Sequence, residues 1–282
     1  MNTRCLFKLS SVIGLTVALA EMVHAGPISP LYVSDGAQIQ VFQGLGIIDS
    51  WLTGEQEFSI AVSSNVKTWS QGSPALSLLG REYLLDGTPT GTTYLNSVGC
   101  CFRDGTTDGK FNYAVRLLAG SEAVYRFNLD WTDPQVFPLQ PPLFYAGLSG
   151  ITYDSSDATF WLAVSESFAA IAHITADGNL ISYFSVAGAA APNVSLAYDR
   201  ADDTLWLYIP RVQGGSELVQ FAASDDMTST NFPLFRQPVS GFAYGIEFAL
   251  QQDTTLVPEP ATMTLLGTGL ALLLSLGARR QT

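Results

Sequence analysis

Two adjacent cysteines are the first residues of this chain that suggest a specific chemistry. Cys100 and Cys101 follow each other directly, and the remaining cysteine, Cys5, lies near the start of the chain. Adjacent cysteines can oxidise to a vicinal disulfide, although Cα atoms about 3.8 Å apart across a trans peptide are closer than a relaxed disulfide prefers. The pair is interpreted as an oxidised staple, two free thiols, a bridge to a second chain, or a rigid apolar platform for a ligand.

An acidic, glycine-rich segment follows shortly after the cysteines. It reads DGTTDG from Asp104 to Gly109. Calcium prefers oxygen ligands, so Asp104 and Asp108 are weak calcium candidates. The segment lacks the alternating acids and the bidentate Glu of an EF-hand loop, however. Asp side chains also stabilise turns by accepting hydrogen bonds from the N–H groups that follow them, and the pattern favours such a turn.

Histidine-based chemistry depends on one residue, His173. The second histidine, His24, lies in an N-terminal segment that is expected to be removed. The body therefore lacks the four Cys and His ligands of a zinc site. A Ser-His-Asp triad would need His173, but no Gly-x-Ser-x-Gly elbow presents a serine. The sequence predicts no catalytic residue and no cofactor apart from the calcium candidates, and it favours a structural role for His173.

Charge distinguishes the body from the two ends of the chain. Of 13 basic and 25 acidic residues, four basic and two acidic ones lie in residues 1–25 and 258–282, which leaves 9 and 23 in the middle. A body with a net charge of −14 repels phosphate backbones, so we expect no nucleic-acid partner. A composition that is 47% hydrophobic and only 13% charged indicates a folded domain.

The first 25 residues have the organisation of a secretory signal peptide. Arg4 and Lys8 form a positively charged start, and Val12 to Ala20 form a short apolar run. Val23 and Ala25 are small residues at the −3 and −1 positions of a cleavage site, so cleavage is expected after Ala25. The apolar run is too short for a membrane span, which needs roughly 20 residues.

Residues 257–282, at the end of the chain, combine three features in a characteristic order. A Pro-Glu-Pro motif precedes an uncharged segment and a basic tail, the residues being Pro258, Glu259, Pro260, Ala261 to Ala278, Arg279 and Arg280. As a helix the uncharged segment would be about 27 Å long, which is enough to cross a bilayer core. The basic tail would remain on the cytoplasmic side. This order resembles the PEP-CTERM sorting signal of exported Gram-negative proteins.

That resemblance implies processing by an exosortase, a membrane protease-transpeptidase that cleaves near the Pro-Glu-Pro motif. The C-terminal helix would anchor the chain transiently in the inner membrane. The body would then be released or attached at the cell surface. Proteins with this signal typically occur in bacteria that make exopolysaccharide and a biofilm matrix. The alternative is a plain membrane anchor, which does not need the Pro-Glu-Pro motif.

The body repeats with a period of 45 residues. GITYDSSDATFWL at 150–162 aligns without a gap with SLAYDRADDTLWL at 195–207. Each unit predicts four short strands, because its segments are rich in aromatic and β-branched residues and Tyr-Asp-x-x-Asp forms a turn between two of them. Four-strand repeats of about 40–50 residues are typical of β-propeller blades. The units also resemble the blades of exported NHL and YVTN propellers.

We therefore expect residues 26–256 to form an all-β domain, a β-propeller of about five four-stranded blades. The strands at 31–36 and 37–44 have no blade start before them, and the segment at 241–250 contains only the start of a blade. N- and C-terminal strands are thus predicted to complete one blade together, which closes the ring and removes open sheet edges. The segment at 80–96 departs from the repeat and is interpreted as an insertion or an irregular blade.

These features favour an exported, non-catalytic protein of the cell surface or extracellular matrix. Its expected partners are the exosortase and, in its final location, an exopolysaccharide or another surface protein. One alternative is an exported enzyme, lactonase- or lyase-like, with a metal at the central channel. Another is a purely structural envelope protein. The feature that discriminates between them is whether inward-facing polar side chains converge at one mouth of the ring.

Overall fold

The structure is a computed structural model that describes residues 26–72, 78–117, 123–140, 147–165, 169–186, 193–211, 215–224 and 233–250. Nineteen β-strands and their connections make up this part of the chain. None of the described residues forms a helix long and apolar enough to cross a membrane. The signal peptide and the sorting segment predicted from the sequence lie outside the described residues.

The strands are mostly four to eight residues long. Many are rich in Val, Ile, Phe, Tyr and Thr, whose side chains fit a pleated and half-buried surface. In chain order they are β1 (Leu31–Ser34), β2 (Gly36–Gln43), β3 (Gly46–Val62), β4 (Asn65–Ser70), β5 (Leu79–Leu84), β6 (Pro89–Leu95), β7 (Phe102–Thr107), β8 (Phe111–Arg116), β9 (Ala123–Asn128), β10 (Gln135–Val136), β11 (Gly147–Asp154), β12 (Thr159–Ser165), β13 (Ala169–Ile174), β14 (Leu180–Ser185), β15 (Ser195–Asp199), β16 (Thr204–Pro210), β17 (Ser216–Ala222), β18 (Phe235–Val239) and β19 (Gly245–Phe248).

The described strands form five antiparallel blades of four strands each. Blades 3, 4 and 5 are the separate sheets β7–β10, β11–β14 and β15–β18. Blades 1 and 2 share a sheet, because the first part of β3 pairs with β2 and its second part pairs with β4. The innermost strands are β3, β7, β11, β15 and β19, which are neighbours in that order around the ring. The predicted five-bladed propeller is therefore confirmed.

Strands from both ends of the body close the ring. β19 pairs antiparallel with β1, so that Leu31 lies opposite Phe248. Blade 1 therefore takes its inner strand from the C-terminal side and its outer strands from the N-terminal side, as the sequence predicts. A further connection comes from Ser29, whose N–H and hydroxyl both donate to the carboxylate of Asp199 in blade 5. Closure in this way pairs strands that would otherwise be open edges.

The segment at 80–96 is not an insertion, although its strands pair with a register shift between Arg81 and Tyr83. It contributes to β5 and β6, the two outer strands of blade 2, in which Arg81 lies opposite Thr93. Most side chains of β6 are exposed. An exposed outer strand does not need the alternation of apolar and polar residues that marks a half-buried one, so the repeat is hidden in the sequence here.

The described part of the chain contains five hydrophobic core clusters, each between two neighbouring blades. Between blades 2 and 3, for example, the ring of Trp69 contacts the rings of Phe102 and Phe127. The repeated Trp161 and Trp206 are fully buried in two other clusters. Because close-packed interiors permit little displacement, this packing determines where each inner strand lies on the axis.

Candidate functional site on the propeller axis

The inner strands surround an axis with two ends. Equivalent hydrogen bonds join successive inner strands, since the N–H of Tyr153 donates to Thr106 and the N–H of Tyr198 donates to Thr152. The inner strands therefore run in the same direction. We call the end where they begin the amino mouth, and the end where they finish the carboxyl mouth.

Asp104 lies on the axis between these two mouths, where it bonds to three other inner strands. Its side chain, carried by β7, is fully buried. Oδ2 accepts hydrogen bonds from the backbone N–H groups of Ile151 (3.2 Å) and Leu196 (2.7 Å), and Oδ1 accepts one from Ile246 (3.0 Å). One carboxylate thus joins blade 3 to the inner strands of blades 4, 5 and 1.

The electrostatics of Asp104 reflect two opposing effects. Burial raises its pKa well above the usual range, while backbone N–H groups, including that of Gly105, act to lower it. Gly150 permits the close approach, because a Cβ at that position would lie 3.1 Å from Oδ2. Asp104 lies inside a strand, so the interpretation of this residue as part of an Asp-stabilised turn is wrong.

Asp108 has the turn role that the sequence favours. It lies between β7 and β8, where Oδ1 accepts from the N–H groups of Lys110 and Phe111 and Oδ2 accepts from the Tyr113 hydroxyl (2.9 Å). These partners differ entirely from those of Asp104. Calcium binding by Asp104 and Asp108 stays a prediction.

A second buried carboxylate on the axis belongs to Glu247 of β19. Oε1 accepts from the Thr152 hydroxyl (3.4 Å) and from the N–H of Phe248 (3.1 Å). Oε2 has no hydrogen-bond partner among the described residues. Burial raises the pKa of Glu247 well above its usual range, and the charge of nearby Asp104 raises it further. Both effects favour the protonated carboxyl.

The carboxyl mouth ends in a small pocket to which all five inner strands contribute. Its lining includes Val62, Thr107, Tyr153, Tyr198 and Glu247. The cavity volume is about 20 Å³, which is room for a single water-sized group. Pockets that bury a small organic ligand are about 300–1,000 Å³, so this one does not accommodate a sugar ring or a lactone.

Glu57 is a third buried acid, and it lies where blades 1 and 2 meet in β3. Its carboxylate accepts from Arg81 (2.7 Å), from the Tyr83 hydroxyl (3.2 Å) and from the Thr68 hydroxyl. Burial raises the pKa of Glu57 from 4.5 to about 7, although Thr68 and Arg81 act in the opposite direction. These contacts join strands β3, β4 and β5 within blade 2 and serve its structure.

His173 belongs to a buried polar network in blade 4. Its ring stacks on Trp161 with 3.8 Å between centroids, and Nε2 lies 2.5 Å from Oγ1 of Thr159. One ligand atom each from Asp154, Asp157 and His173 lie within 4.8 Å of one another, a spacing that a metal ion can use. The cluster therefore needs to be distinguished from a metal site.

Blade 5 contains the same network without a histidine. Gln220 lies opposite Trp206 as His173 lies opposite Trp161. Its side-chain amide donates to Asp202 (3.0 Å) and to Thr204 (3.3 Å). Because a glutamine fills the equivalent position, hydrogen bonding that supports the β-turn accounts for both networks.

The two cysteines lie at the amino mouth, directly before β7. Cys100 and Cys101 are joined by a disulfide. The N–H of Cys101 donates to the carbonyl of Gln71 (2.8 Å), and Nε of Arg116 donates to the carbonyl of Cys100 (3.0 Å). The disulfide loop is thereby attached to blades 2 and 3. Its oxidation state in the exported protein stays a prediction.

Two charged residues of the axis were not predicted from the sequence. Glu247 is a single acid in the otherwise apolar strand GIEF, and a charge in such a strand was a usable signal. Arg103 at the amino mouth is one of only nine basic residues in the body, but nothing in its neighbourhood along the chain distinguishes it. The predicted residues of the two processing segments, Ala25, Pro258, Glu259, Pro260, Arg279 and Arg280, lie outside the described residues.

Comparison with solved structures supports the fold. The chain is similar to one in the crystal structure of a nidogen/laminin complex, with 13% identity, a TM-score of 0.51, and 78% of this chain and 81% of that chain covered. It also matches a β-propeller domain from Myceliophteria thermophila, with 11% identity, a TM-score of 0.43, and 74% and 67% covered. At 13% identity, the similarity to the chain of the nidogen/laminin complex indicates a shared fold alone. No curated protein matches the sequence.

The end of the chain matches a family model. Residues 256–281 fit the PEP-CTERM protein-sorting motif, which coincides with the Pro-Glu-Pro motif, the uncharged segment and the basic tail recognised in the sequence. Such a motif implies transient anchoring in a membrane before the tail is removed. The chain is therefore an exported β-propeller protein that carries a PEP-CTERM sorting motif and is processed by an exosortase.

Proposed function

We propose that this protein acts without catalysis at the cell surface or in the extracellular matrix, where its propeller binds a polysaccharide or another surface protein. The polar groups and the small cavity on the propeller axis support this proposal. The carboxylate of Asp104 is occupied by three backbone N–H groups, and the pocket beside Glu247 holds only one water-sized group. A catalytic centre at the channel would need uncommitted polar groups around a cavity of substrate size.

Exposed apolar side chains support a binding role. The outer edge of blade 1 carries Leu45, Ile47, Ile48 and Leu52, whose exposed fractions range from 50% to 79%. Among the described strands, the first part of β3, which contains three of them, pairs with β2 alone and has no partner strand on its other side. Open strand edges and clustered apolar groups both favour association with another molecule.

An exported enzyme with a metal at the central channel is the second candidate. Oε2 of Glu247, which has no partner among the described residues, favours it, because loss of the Glu247 proton would offer a carboxylate oxygen on the axis to a cation. Lactonase- or lyase-type chemistry would require further oxygen or nitrogen ligands to join Glu247 and a substrate to reach them.

Intact-mass analysis of the exported protein tests the processing steps. We expect a mature chain that begins at Gly26 and lacks residues 261–282, because the two proposed cleavages remove the signal peptide and the C-terminal helix. An exported form that retains residues 261–282 would contradict exosortase processing.

Cosedimentation with matrix from the producing bacterium tests the binding role. We expect saturable binding that is weakened in Leu52→Asp but not in the matched variant Leu95→Asp, since Leu95 is 64% exposed on the outer edge of blade 2. Turnover of lactone or uronate-polymer substrates that is lost in a folded Glu247→Gln variant would replace this proposal with the enzymatic one.

A further inference from the structure

At the amino mouth, the guanidinium of Arg103 lies against two aromatic rings. Arg103 directly precedes Asp104 on β7, and its Cζ lies 5.7 Å from the ring centroid of Phe58 and 5.0 Å from that of Tyr244. The two rings stack on each other with 3.8 Å between centroids. Because cation–π contacts use the face of a guanidinium, they do not supply a hydrogen-bond acceptor to the N–H groups on its edge.

The donors on that edge are unused within the described part of the chain. Nε of Arg103 is buried and has no hydrogen-bond partner, and the side chain forms no ion pair with a described residue. Arg81 and Arg236, by contrast, each pair with a carboxylate. A buried N–H without a partner is unfavourable, so an acceptor from outside the described residues would stabilise it.

We propose that the amino mouth binds a carboxylate group through the guanidinium of Arg103. The Nε–H and one Nη–H lie side by side on one edge of the guanidinium, and two parallel donors match the two oxygens of a carboxylate. The ligand satisfies the buried Nε, while Phe58 and Tyr244 hold the guanidinium plane. The carboxylate belongs to a sugar acid or to a peptide. This assignment goes beyond the proposed function and does not require matrix binding.

The disulfide loop holds the backbone that leads into Arg103. The N–H groups of Cys101 and Phe102 both donate to the carbonyl of Gln71, at 2.8 and 3.3 Å, and the carbonyl of Cys101 accepts from Leu117 (2.9 Å). The start of β7 is thus attached to blade 2 on one side and to the end of β8 on the other. These backbone hydrogen bonds therefore contribute to the placement of the arginine at the mouth.

Titration calorimetry on the exported, processed protein tests the proposal. The probes are sodium glucuronate, N-acetylglycine and glucose, which are a sugar acid, a peptide-like carboxylate and a neutral sugar. We expect one molecule of a carboxylate to bind per chain and no binding of glucose. Arg103→Gln should weaken carboxylate binding at least about tenfold, which is the loss of a charge-assisted pair of hydrogen bonds.

Two further variants distinguish recognition by the two parallel guanidinium donors from the effect of charge alone and from general effects on the protein. Arg103→Lys keeps the charge but lacks the planar pair of donors, so it should weaken binding nearly as much as Arg103→Gln. Arg126→Gln is the matched control, because Arg126 also lies over a ring, that of Phe111 at 4.6 Å, but on an outer strand. It should bind like the wild type.

Either of two results would overturn the inference. One is the absence of carboxylate binding by the wild-type protein, and the other is binding that is unchanged in Arg103→Gln or in Arg103→Lys. The tighter of the two carboxylate probes identifies a sugar acid or a peptide as the source of the group. If carboxylate binding fails while matrix binding persists, this inference is wrong and the proposed function stands.

Discussion

Replacement of Asp104 by Ala is the sharpest test of how the ring is held together. The carboxylate accepts hydrogen bonds from the N–H groups of Ile151, Leu196 and Ile246, which lie on three other blades. Alanine leaves all three donors buried without an acceptor. Asparagine is nearly isosteric and can keep its oxygen towards Ile151 and Leu196, so it loses mainly the bond from Ile246.

The expected magnitude follows from the number of bonds. Each buried N–H left unpaired costs about 1–3 kcal/mol, so three of them cost about 3–9 kcal/mol. Removal of a buried charge offsets part of this cost. We therefore expect Asp104→Ala to lower the free energy of unfolding by about 3–5 kcal/mol, and Asp104→Asn by about 1–3 kcal/mol.

Guanidinium denaturation followed by tryptophan fluorescence measures these changes as shifts in the transition midpoint. The matched control is Asp86→Asn, because the side chain of Asp86 lies in an exposed turn where it accepts from the N–H of Thr88. We expect this control to unfold like the wild type. If Asp104→Ala does not fold, Asp104→Asn provides the measurement. A loss below about 0.5 kcal/mol for Asp104→Ala would refute the role of Asp104 on the axis.

Three further predictions concern the remaining buried groups. The pKa of Glu57 is about 7 when folded and 4.5 ordinarily, so protonation favours the folded state. The free energy of unfolding should therefore fall by about 3 kcal/mol as pH rises from 4.5 through 7. Denaturation series at several pH values measure this fall, and Glu57→Gln should abolish it. His173→Gln should keep near wild-type stability, because Gln220 fills that position in blade 5. His173→Ala should lower the free energy of unfolding by about 2–4 kcal/mol in the same assay. Equal losses for the two variants would contradict the shared network. Alkylation of denatured protein without reductant should leave Cys100 and Cys101 unlabelled, and two labelled thiols would contradict the disulfide in the exported protein.

Most of the fold was predictable from local sequence patterns. Strand propensity and Asp-containing turns are properties of neighbouring residues, and the repeat at 150–162 and 195–207 made them recognisable as blades. The outer strands at 80–96 were misinterpreted because exposed strands do not need that pattern. Blade closure was predictable as well, since incomplete units at the two ends of the body leave strands that need partners.

The axis was less predictable, because its contacts join residues that are far apart in the sequence. Asp104 and Asp108 look like members of one acidic loop, yet they serve different purposes four residues apart. Asp104 reaches Ile246, which is 142 positions away, only because the ring has closed. Likewise the guanidinium of Arg103 meets Phe58 and Tyr244 only where three inner strands begin side by side.

The sorting motif, the repeat and a count of about five blades were predictable from the sequence, because processing signals, turns and strand periodicity are all encoded locally. The roles of the polar residues on the axis became visible only in the folded domain. Closure of five blades buries Asp104 among backbone donors and places Arg103 over an aromatic pair. Among the described residues, one oxygen of Glu247 and Nε of Arg103 then have no hydrogen-bond partner. Burial and long-range geometry create these states, and neither is a property of the neighbouring residues in the chain.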